Sequence, residues 1–166
     1  LPEGEFTLEI LGNFPHFTGY PVDQLLDVNQ WGDIFWRSFR QSFGNWTGVD
    51  FSAEDTPDLS LAPDMFRAFS DAPNFNADLS DWDVSQIRTL QGLFNSSPNF
   101  NNDISGWNVG NVTNMESVFN NSGFNQDISG WNVSNVTRMV NTFRDARSFD
   151  QDLSVWDFSS VNSMNN

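Results

Sequence analysis

Hydrophobic positions recur along most of the chain at a fixed spacing. Four times, a Trp has a Leu or Ile three residues before it and a Val or Phe two residues after it. A Leu or Met follows eight residues after each Trp, and a Phe lies seven residues before each. These four residues are Trp82, Trp107, Trp131 and Trp156, which follow one another at intervals of 25, 24 and 25 residues. This period predicts a chain built from repeated structural units.

The same register extends toward the N-terminus in two weaker copies, where Pro57 and Trp31 occupy the Trp position. The six copies are anchored at residues 31, 57, 82, 107, 131 and 156. They define a repeat region over residues 24–166. The sixth copy reaches Met164 without the Phe that follows four residues later in the earlier copies, so we expect the natural protein to continue with further copies or a cap.

Within one copy the period of the apolar positions changes. The alternation in Trp-x-Val is typical of a half-buried β-strand. The spacing of Leu90, Leu93 and Phe94 is typical of one or two helical turns, and Gly, Asn, Ser and Asp fill the connections. The pattern therefore predicts an α/β repeat solenoid with one short strand and one short helix or turn per copy. Stacking would build apolar columns with about 4.8 Å between successive strands.

Residues 1–23 depart from the repeat. The segment EFTLEI alternates apolar and polar side chains, and Gly12 and Asn13 follow it as a turn signal. We predict an N-terminal β cap over residues 1–23 that covers the first coil.

Composition excludes several classes of function. Twenty-two acidic residues face seven Arg, and the formal net charge of −15 would repel nucleic acid and anionic membranes. No stretch of 18 apolar residues could insert into a membrane. The chain has no Cys, its single His16 has no companions for a metal site or a triad, and Gly-x-Ser-x-Gly is absent. We therefore expect no enzymatic activity.

An acidic residue recurs four residues before each Trp, at Asp78, Asp103, Asp127 and Asp152. In a stack, these like charges would repel one another and require compensation. Calcium could provide it, because calcium binds carboxylate and amide oxygens. Alternatively, each Asp accepts hydrogen bonds from backbone N–H groups in its own turn. Turn capping explains why the Asp recurs in every copy, and no known calcium-loop spacing occurs. We therefore predict that these Asp residues cap turns and that the chain has no metal site and no cofactor. Calcium binding is the alternative.

A second polar position follows directly after each Trp. It lies on the face opposite the apolar Trp and Val side chains, as expected for a strand. The four residues are Asp83, Asn108, Asn132 and Asp157. Solenoids often bind ligands on such a face, so these side chains are the candidate ligand-binding residues. A merely solvated sheet face is the alternative.

The phrases FNNDISGWNVGNVTNMESVF and FNQDISGWNVSNVTRMVNTF resemble the BspA-like leucine-rich repeat. This repeat occurs in surface proteins and lipoproteins of Listeria, mycoplasmas and many marine microbes. The resemblance is closest over residues 75–164 and looser over 31–69. It implies a right-handed solenoid, a cell-surface or extracellular location and a role in adhesion or recognition. The family has no established catalytic residues to carry over.

These observations predict a non-enzymatic extracellular module that binds a protein or a cell-surface ligand, with a glycan as a further option. The rival is a structural spacer or stalk that displays neighbouring domains. An apolar or aromatic patch on one face would favour binding, whereas a uniformly polar surface would favour the spacer.

Overall fold

The structure is a computed structural model and describes residues 27–47 and 50–165. Two short strands, β1 (Asp27–Val28) and β2 (Asp50–Phe51), pair in parallel with Asp27 opposite Asp50. The described residues contain no helix. The expected cap over residues 1–23 and His16 lie outside the described residues.

Besides β1 and β2, successive copies are joined by isolated parallel bridges. The bridges join Phe35 to Asp58, Asp64 to Thr89, Thr89 to Asn114, Asn114 to Arg138, and Arg138 to Ser163. From residue 64 onward, the bridged residues are 24 or 25 positions apart, which equals the period of the sequence. Each copy therefore lies beside the next in parallel and in register.

The segment from Leu90 to Ser96 shows how neighbouring copies are joined. Every second backbone N–H in it donates to a carbonyl oxygen of the next copy, at N···O distances of 2.8–3.0 Å. Between them, Leu93 and Asn95 donate to the carbonyl oxygens three residues earlier, at 2.9 and 3.1 Å. An α-helix would bind those of these N–H groups that lie beyond its first turn to carbonyl oxygens four residues earlier. Because half of them bind the neighbouring copy, the segment forms consecutive tight turns, and the helical alternative of the sequence prediction does not occur here.

Left-handed backbone conformations recur in these turns. In the third copy they fall at Gly92 and Ser96, with φ of 66° and 57°. The equivalent residues of the other copies are Gln41, Asn45, Arg67, Asp71, Ser117, Asn121, Asn141 and Asp145. A non-glycine residue in this conformation costs about 1–2 kcal/mol. The hydrogen bonds between copies offset this cost, so the turns depend on their neighbours.

The Trp-x-Val segments are irregular backbone rather than the expected strands. Their side chains still alternate, because Trp107 and Val109 are buried whereas Asn108 is exposed. The parallel bridges lie later in the copy, at the residue directly before Leu90 or Met115. The alternation of apolar and polar residues around each Trp thus located the buried side chains. The backbone pairing between copies, however, occurs in the segment around Leu90 or Met115, whose residue spacing suggested a helical turn.

Two columns of Phe rings fill the interior. The first column contains Phe75, Phe100, Phe124 and Phe149, with successive centroids 5.7, 5.9 and 6.3 Å apart. The second contains Phe69, Phe94, Phe119 and Phe143, with centroids 5.8, 5.9 and 5.5 Å apart. The columns also touch each other, since the centroids of Phe94 and Phe100 are 3.8 Å apart. The core is therefore one continuous aromatic stack along the array.

One copy is shorter by a residue, and a glycine accommodates the difference. Five positions separate Phe119 from Phe124, whereas six separate Phe94 from Phe100. A Cβ atom at Gly123 would lie only 1.9 Å from the carbonyl oxygen of Pro98. The shortened connection thus runs so close to the preceding copy that only glycine fits.

Candidate functional site

Three buried indoles bind their copies to the preceding ones. The indole N–H groups of Trp107, Trp131 and Trp156 donate to the carbonyl oxygens of Leu79, Ile104 and Ile128, at 2.8, 3.1 and 3.0 Å. The same carbonyl oxygens accept the backbone N–H of the Trp in their own copy. The side chains of Trp82, Trp107, Trp131 and Trp156 are only 3–6% exposed. These Trp residues are thus structural, and their rings do not form an exposed binding platform.

The acidic residues four positions before each Trp cap turns. The Oδ1 atoms of Asp78, Asp103, Asp127 and Asp152 accept the backbone N–H of Ser80, Ser105, Ser129 and Ser154, at 2.8–2.9 Å. This is the Asx-turn geometry that the capping interpretation requires. The four carboxylates are exposed.

The turn hydrogen bonds also favour the charged form of three of these acids, Asp103, Asp127 and Asp152, by lowering their pKa. The backbone N–H of Ser105, followed by its hydroxyl, lowers the pKa of Asp103 below its ordinary value of 3.8. Burial and the negative charge of Asp127 raise it by less. The same two donors from the following Ser lower the pKa of Asp127 and of Asp152. At Asp103, hydrogen bonding within the turn therefore outweighs the repulsion from the Asp127 carboxylate of the neighbouring copy.

The candidate ligand-binding column has the same turn geometry. The Oδ1 atoms of Asp83, Asn108, Asn132 and Asp157 accept the N–H of Ser85, Gly110, Ser134 and Ser159, at 2.9–3.2 Å. All four side chains are exposed. Asn108 and Asn132 lie next to each other across two copies, because a Cβ atom at Gly110 would be 3.2 Å from Asn108 Oδ1 and 3.7 Å from Asn132 Nδ2. The column is therefore part of the scaffold as well as a surface feature, a double role that the sequence analysis missed.

A ladder of amide side chains joins the copies beside the Asp turns. The Oδ1 atoms of Asn76, Asn101 and Asn125 accept the backbone N–H of Asn101, Asn125 and Asp150, at 2.9, 2.7 and 2.8 Å. The amides of Asn102, Gln126 and Gln151 donate to the backbone carbonyl oxygens of Asn76, Asn101 and Asn125. Sequence reasoning assigned no role to these residues. The signal was the pair of amide residues after Phe100 and Phe124, with a single amide residue after Phe75 and Phe149.

The edge that carries both Asx-turn columns is anionic. Residues 75–85, 100–110, 124–134 and 149–159 contain eight acidic residues and no Arg. The ion pairs of the described residues lie elsewhere, between Arg40 and Asp64 at 3.3 Å, Arg138 and Glu116 at 2.6 Å, and Arg144 and Asp145 at 3.5 Å. The exposed edge therefore presents uncompensated negative charge together with neutral amides.

The carboxylates that the structure describes do not converge on a metal site. Across residues 27–47 and 50–165, no three His, Cys, Asp or Glu side chains converge to hold a metal ion. A cavity of about 650 Å³ at the first two copies is lined by Gly32, Asp33, Phe35, Glu54, Asp55, Thr56 and Asp58. Its Asp55 accepts the backbone N–H groups of Trp31 and Gly32, at 2.9 and 2.6 Å. That carboxylate is therefore held by the backbone as a structural cap.

In-register copies, a shared aromatic interior and hydrogen-bonded polar turns define a tandem-repeat protein. Residues 63–166, more than half of the chain, match the family described as "Mycoplasma protein of unknown function, DUF285", and the chain belongs to this family. No curated protein and no solved structure matches the chain. In the part of the chain that the structure describes, no helix has the length and apolar character needed to span a bilayer.

Proposed function

We propose that this chain is a non-enzymatic extracellular repeat module, built as a right-handed solenoid of the BspA-like leucine-rich type. The resemblance of its recurring phrase and its membership of a Mycoplasma family support this proposal. The parallel bridges at intervals of 24 or 25 residues support the solenoid architecture. The proposal includes no cofactor and no catalytic residue, since every carboxylate column has a structural use in its own turn.

Its primary role, we infer, is that of a structural spacer that displays neighbouring domains. The distribution of exposed apolar side chains carries this inference. Among the described residues, the large exposed hydrophobic side chains are Phe35, Leu61, Val155, Phe158 and Met164. The surface formed by residues 62–154 therefore has no large exposed hydrophobic side chain. Surfaces that bind proteins usually include an apolar patch.

Two spin labels can test the rigidity that a spacer requires. The chain has no Cys, so Leu61→Cys and Ser160→Cys introduce two unique labelling sites at equivalent positions four copies apart. At about 4.8 Å per copy, the backbone separation is about 19 Å. Pulsed electron spin resonance should give one narrow distance distribution after correction for the label arms. A broad distribution, or one that widens at moderate temperature before unfolding, would contradict the spacer role.

Recognition of a protein or glycan through the exposed polar column is the second candidate. The observation in its favour is that Asn108 and Asn132 are exposed, lie in register and have Oδ1 fixed by a backbone N–H. A fixed amide loses little entropy when it forms hydrogen bonds with a ligand. Asp83 and Asp157 would extend this surface on either side.

A charge substitution distinguishes the second candidate from the first. Asn108→Asp together with Asn132→Asp keeps both Oδ1 acceptors but removes two amide donors and adds two negative charges. Asn121→Asp is the matched control, because Asn121 is exposed in another turn and Asp also tolerates its left-handed conformation. The labelled chain would be applied to arrays of purified glycans and extracellular-matrix proteins. Binding that the double variant loses and the control keeps would support recognition; binding that both variants retain would contradict it.

A further inference from the structure

One side of the first three copies is basic, although the chain as a whole is strongly acidic. Three equivalent segments on this side, residues 37–41, 63–67 and 88–92, are joined by backbone hydrogen bonds. Together they contain four Arg and one Asp, a formal charge of +3 in a chain of −15. The same segments of the next two copies, residues 113–117 and 137–141, contain one Arg and one Glu. The positive charge is therefore concentrated in one place, here called the arginine patch, which consists of Arg37, Arg40, Arg67 and Arg88.

Two guanidinium groups of the patch lie near one aromatic ring. The Cζ atom of Arg40 is 3.9 Å from the centroid of the Phe66 ring, and the Cζ atom of Arg67 is 5.9 Å from it. Both distances are within the range in which an aromatic face attracts a cation. The ring therefore keeps two like charges from adjacent copies near each other.

The stem of Arg67 is positioned by a glycine of the next copy. A Cβ atom at Gly92 would lie 2.9 Å from Arg67 Cγ, so a side chain at this position would displace the stem. Gly92 also has a φ of 66°, which glycine adopts more easily than other residues. In the next two copies the equivalent residues are Ser117 and Asn141. The room for an arginine stem is thus a feature of the patch and not of every copy.

Acidic side chains neutralise little of this charge. Arg40 pairs with Asp64 at 3.3 Å. The ion pairs within the described part of the chain do not include Arg37, Arg67 or Arg88, and these three side chains are exposed. Like charges that are held together repel each other, and an anion bound between them would relieve this repulsion.

We propose that the arginine patch binds the carboxylate or sulfate groups of a short anionic oligosaccharide. A guanidinium group has paired N–H donors in a fixed plane, which match two oxygen atoms of one such group. Arg37 and Arg88 are two copies apart, which is about 10 Å at the spacing of neighbouring strands. Pro63 is exposed between them and offers an apolar surface to the C–H groups of a sugar ring.

The charge of the rest of the chain limits the ligand to a short one. At physiological ionic strength the Debye length is about 8 Å, so an oligosaccharide confined to the patch interacts mainly with the four Arg. A long polyanion would extend over the acidic surface and be repelled. The choice of a glycan rests on the proposed extracellular location, whereas the anion site itself rests on the arrangement of the Arg side chains.

Calorimetric titration of the full 166-residue chain tests this site. The probe is a heparin-derived sulfated hexasaccharide at physiological ionic strength. A neutral chitin hexasaccharide, a hexaglutamate peptide and inorganic sulfate are the comparison ligands. Arg67→Gln and Arg88→Gln remove charge from the patch. Arg147→Gln is the matched control, because Arg147 is also exposed and its loss changes the net charge equally. Thermal midpoints verify that the variants remain folded.

We expect saturable binding of the sulfated hexasaccharide, weakened by added salt, and no binding of the neutral one. Arg67→Gln and Arg88→Gln should each weaken binding at least about tenfold, and Arg147→Gln should leave it unchanged. Arg67→Lys keeps the charge but loses the paired donors, so its affinity should lie between those of wild type and Arg67→Gln.

Four outcomes would overturn the proposal. The first is the absence of binding at millimolar hexasaccharide concentration. The second is equal weakening by Arg67→Gln and Arg147→Gln, since net charge alone would then explain the binding. The third is tighter binding of hexaglutamate, which would assign the patch to an acidic peptide. The fourth is equally tight binding of inorganic sulfate, which would identify an adventitious ion only. All four leave the spacer role intact, because the spin-label distances test it independently of any ligand.

Discussion

The indole rings of Trp107 and Trp131 lie parallel, with their centroids 6.3 Å apart and an angle of 3° between their planes. Trp131 and Trp156 repeat this arrangement at 6.5 Å and 4°. Each indole contacts its counterpart in the neighbouring copy and also donates a hydrogen bond to the preceding copy. One side chain therefore contributes both apolar burial and a directional bond to the same interface.

Trp131 should be among the most sensitive positions in the chain. Trp131→Ala removes a ring that is 3% exposed and leaves a cavity between two copies, so we expect a loss of about 3–5 kcal/mol in the free energy of unfolding. Trp131→Phe keeps an aromatic ring but removes the donor to Ile104, and the expected loss is about 1–2 kcal/mol. Urea titrations of both variants give the comparison. Near-wild-type stability of the Ala variant would mean that the ring faces solvent.

Gly123 should not tolerate a side chain. In Gly123→Ala the new Cβ would meet the Pro98 carbonyl oxygen at 1.9 Å, and because that oxygen belongs to the backbone, two copies must move apart. We expect a loss of about 1–3 kcal/mol, as for overpacked cores. Gly130→Ala is the matched control in the same copy, because a Cβ there meets nothing within 4 Å. Equal denaturation midpoints for the two variants would show that the shortened connection has room to relax.

Asp127 should stabilise its turn as a hydrogen-bond acceptor rather than as a charge. Asp127→Ala removes the acceptor for the N–H of Ser129 and should lower the urea midpoint. Asp127→Asn keeps an Oδ1 acceptor without the charge and should remain close to wild type. If both variants lose the same stability, the negative charge itself is required and the turn-cap interpretation fails.

Acid should weaken the same turns. Hydrogen bonds within the turn lower the folded-state pKa of Asp103 and Asp127 below 3.8. The stability that these groups contribute is therefore present above about pH 3.8 and is lost as the pH falls through their lower folded values. Protonation also relieves the repulsion caused by the net charge of −15, which acts in the opposite direction.

A comparison of variants separates the loss of the turn hydrogen bonds from the relief of charge repulsion. The double variant Asp103→Asn/Asp127→Asn keeps the acceptors but cannot titrate at these positions. Between about pH 4 and pH 2, the melting temperature of wild type should fall relative to that of the double variant. If the difference in melting temperature between wild type and the double variant stays constant over this pH range, the two carboxylates have the same pKa in the folded and unfolded states.

Chelation should leave the stability of the chain unchanged. Each Asp in the column has a backbone donor in its own turn, and this hydrogen bond requires no cation. We therefore expect the same melting temperature in excess EDTA and in millimolar calcium. A rise of many degrees with calcium, reversed by EDTA, would instead identify calcium as the compensation for the stacked charges.

The sequence period located the side chains of the core but not the backbone that carries them. Trp107 and Val109 stand on the buried side and Asn108 on the exposed side, which follows from the alternation alone. The spacing of Leu90, Leu93 and Phe94 fits a helical turn and equally fits the turns that occur, because both bring residues three and four apart to one side. The choice depends on whether the N–H groups bind within the copy or to the next copy, and a local pattern does not contain that information.

The polar columns were located by the same period, but their roles were only partly predicted. An Asp two residues before a Ser is a recognisable Asx-turn signal, so the role proposed for Asp103 rested on local chemistry. The amide ladder through Asn101 and Asn125 joins residues 24 or 25 positions apart. Its function appears only when the copies are stacked, because each amide needs a partner from a different copy.

The hydrogen bonds that the indole groups donate to the preceding copies, here called indole clamps, have a mechanical consequence. Pro57 occupies the Trp position of the second copy and has no N–H to donate to the first, whereas the clamps to Leu79, Ile104 and Ile128 follow one another without interruption. When tension is applied along the array, every junction after Leu79 must break an indole hydrogen bond before it opens. The junction in front of Pro57 has no such bond to break. Under load, the copies joined by the three indole hydrogen bonds would therefore stay closed at forces that already open the part of the array before Leu79.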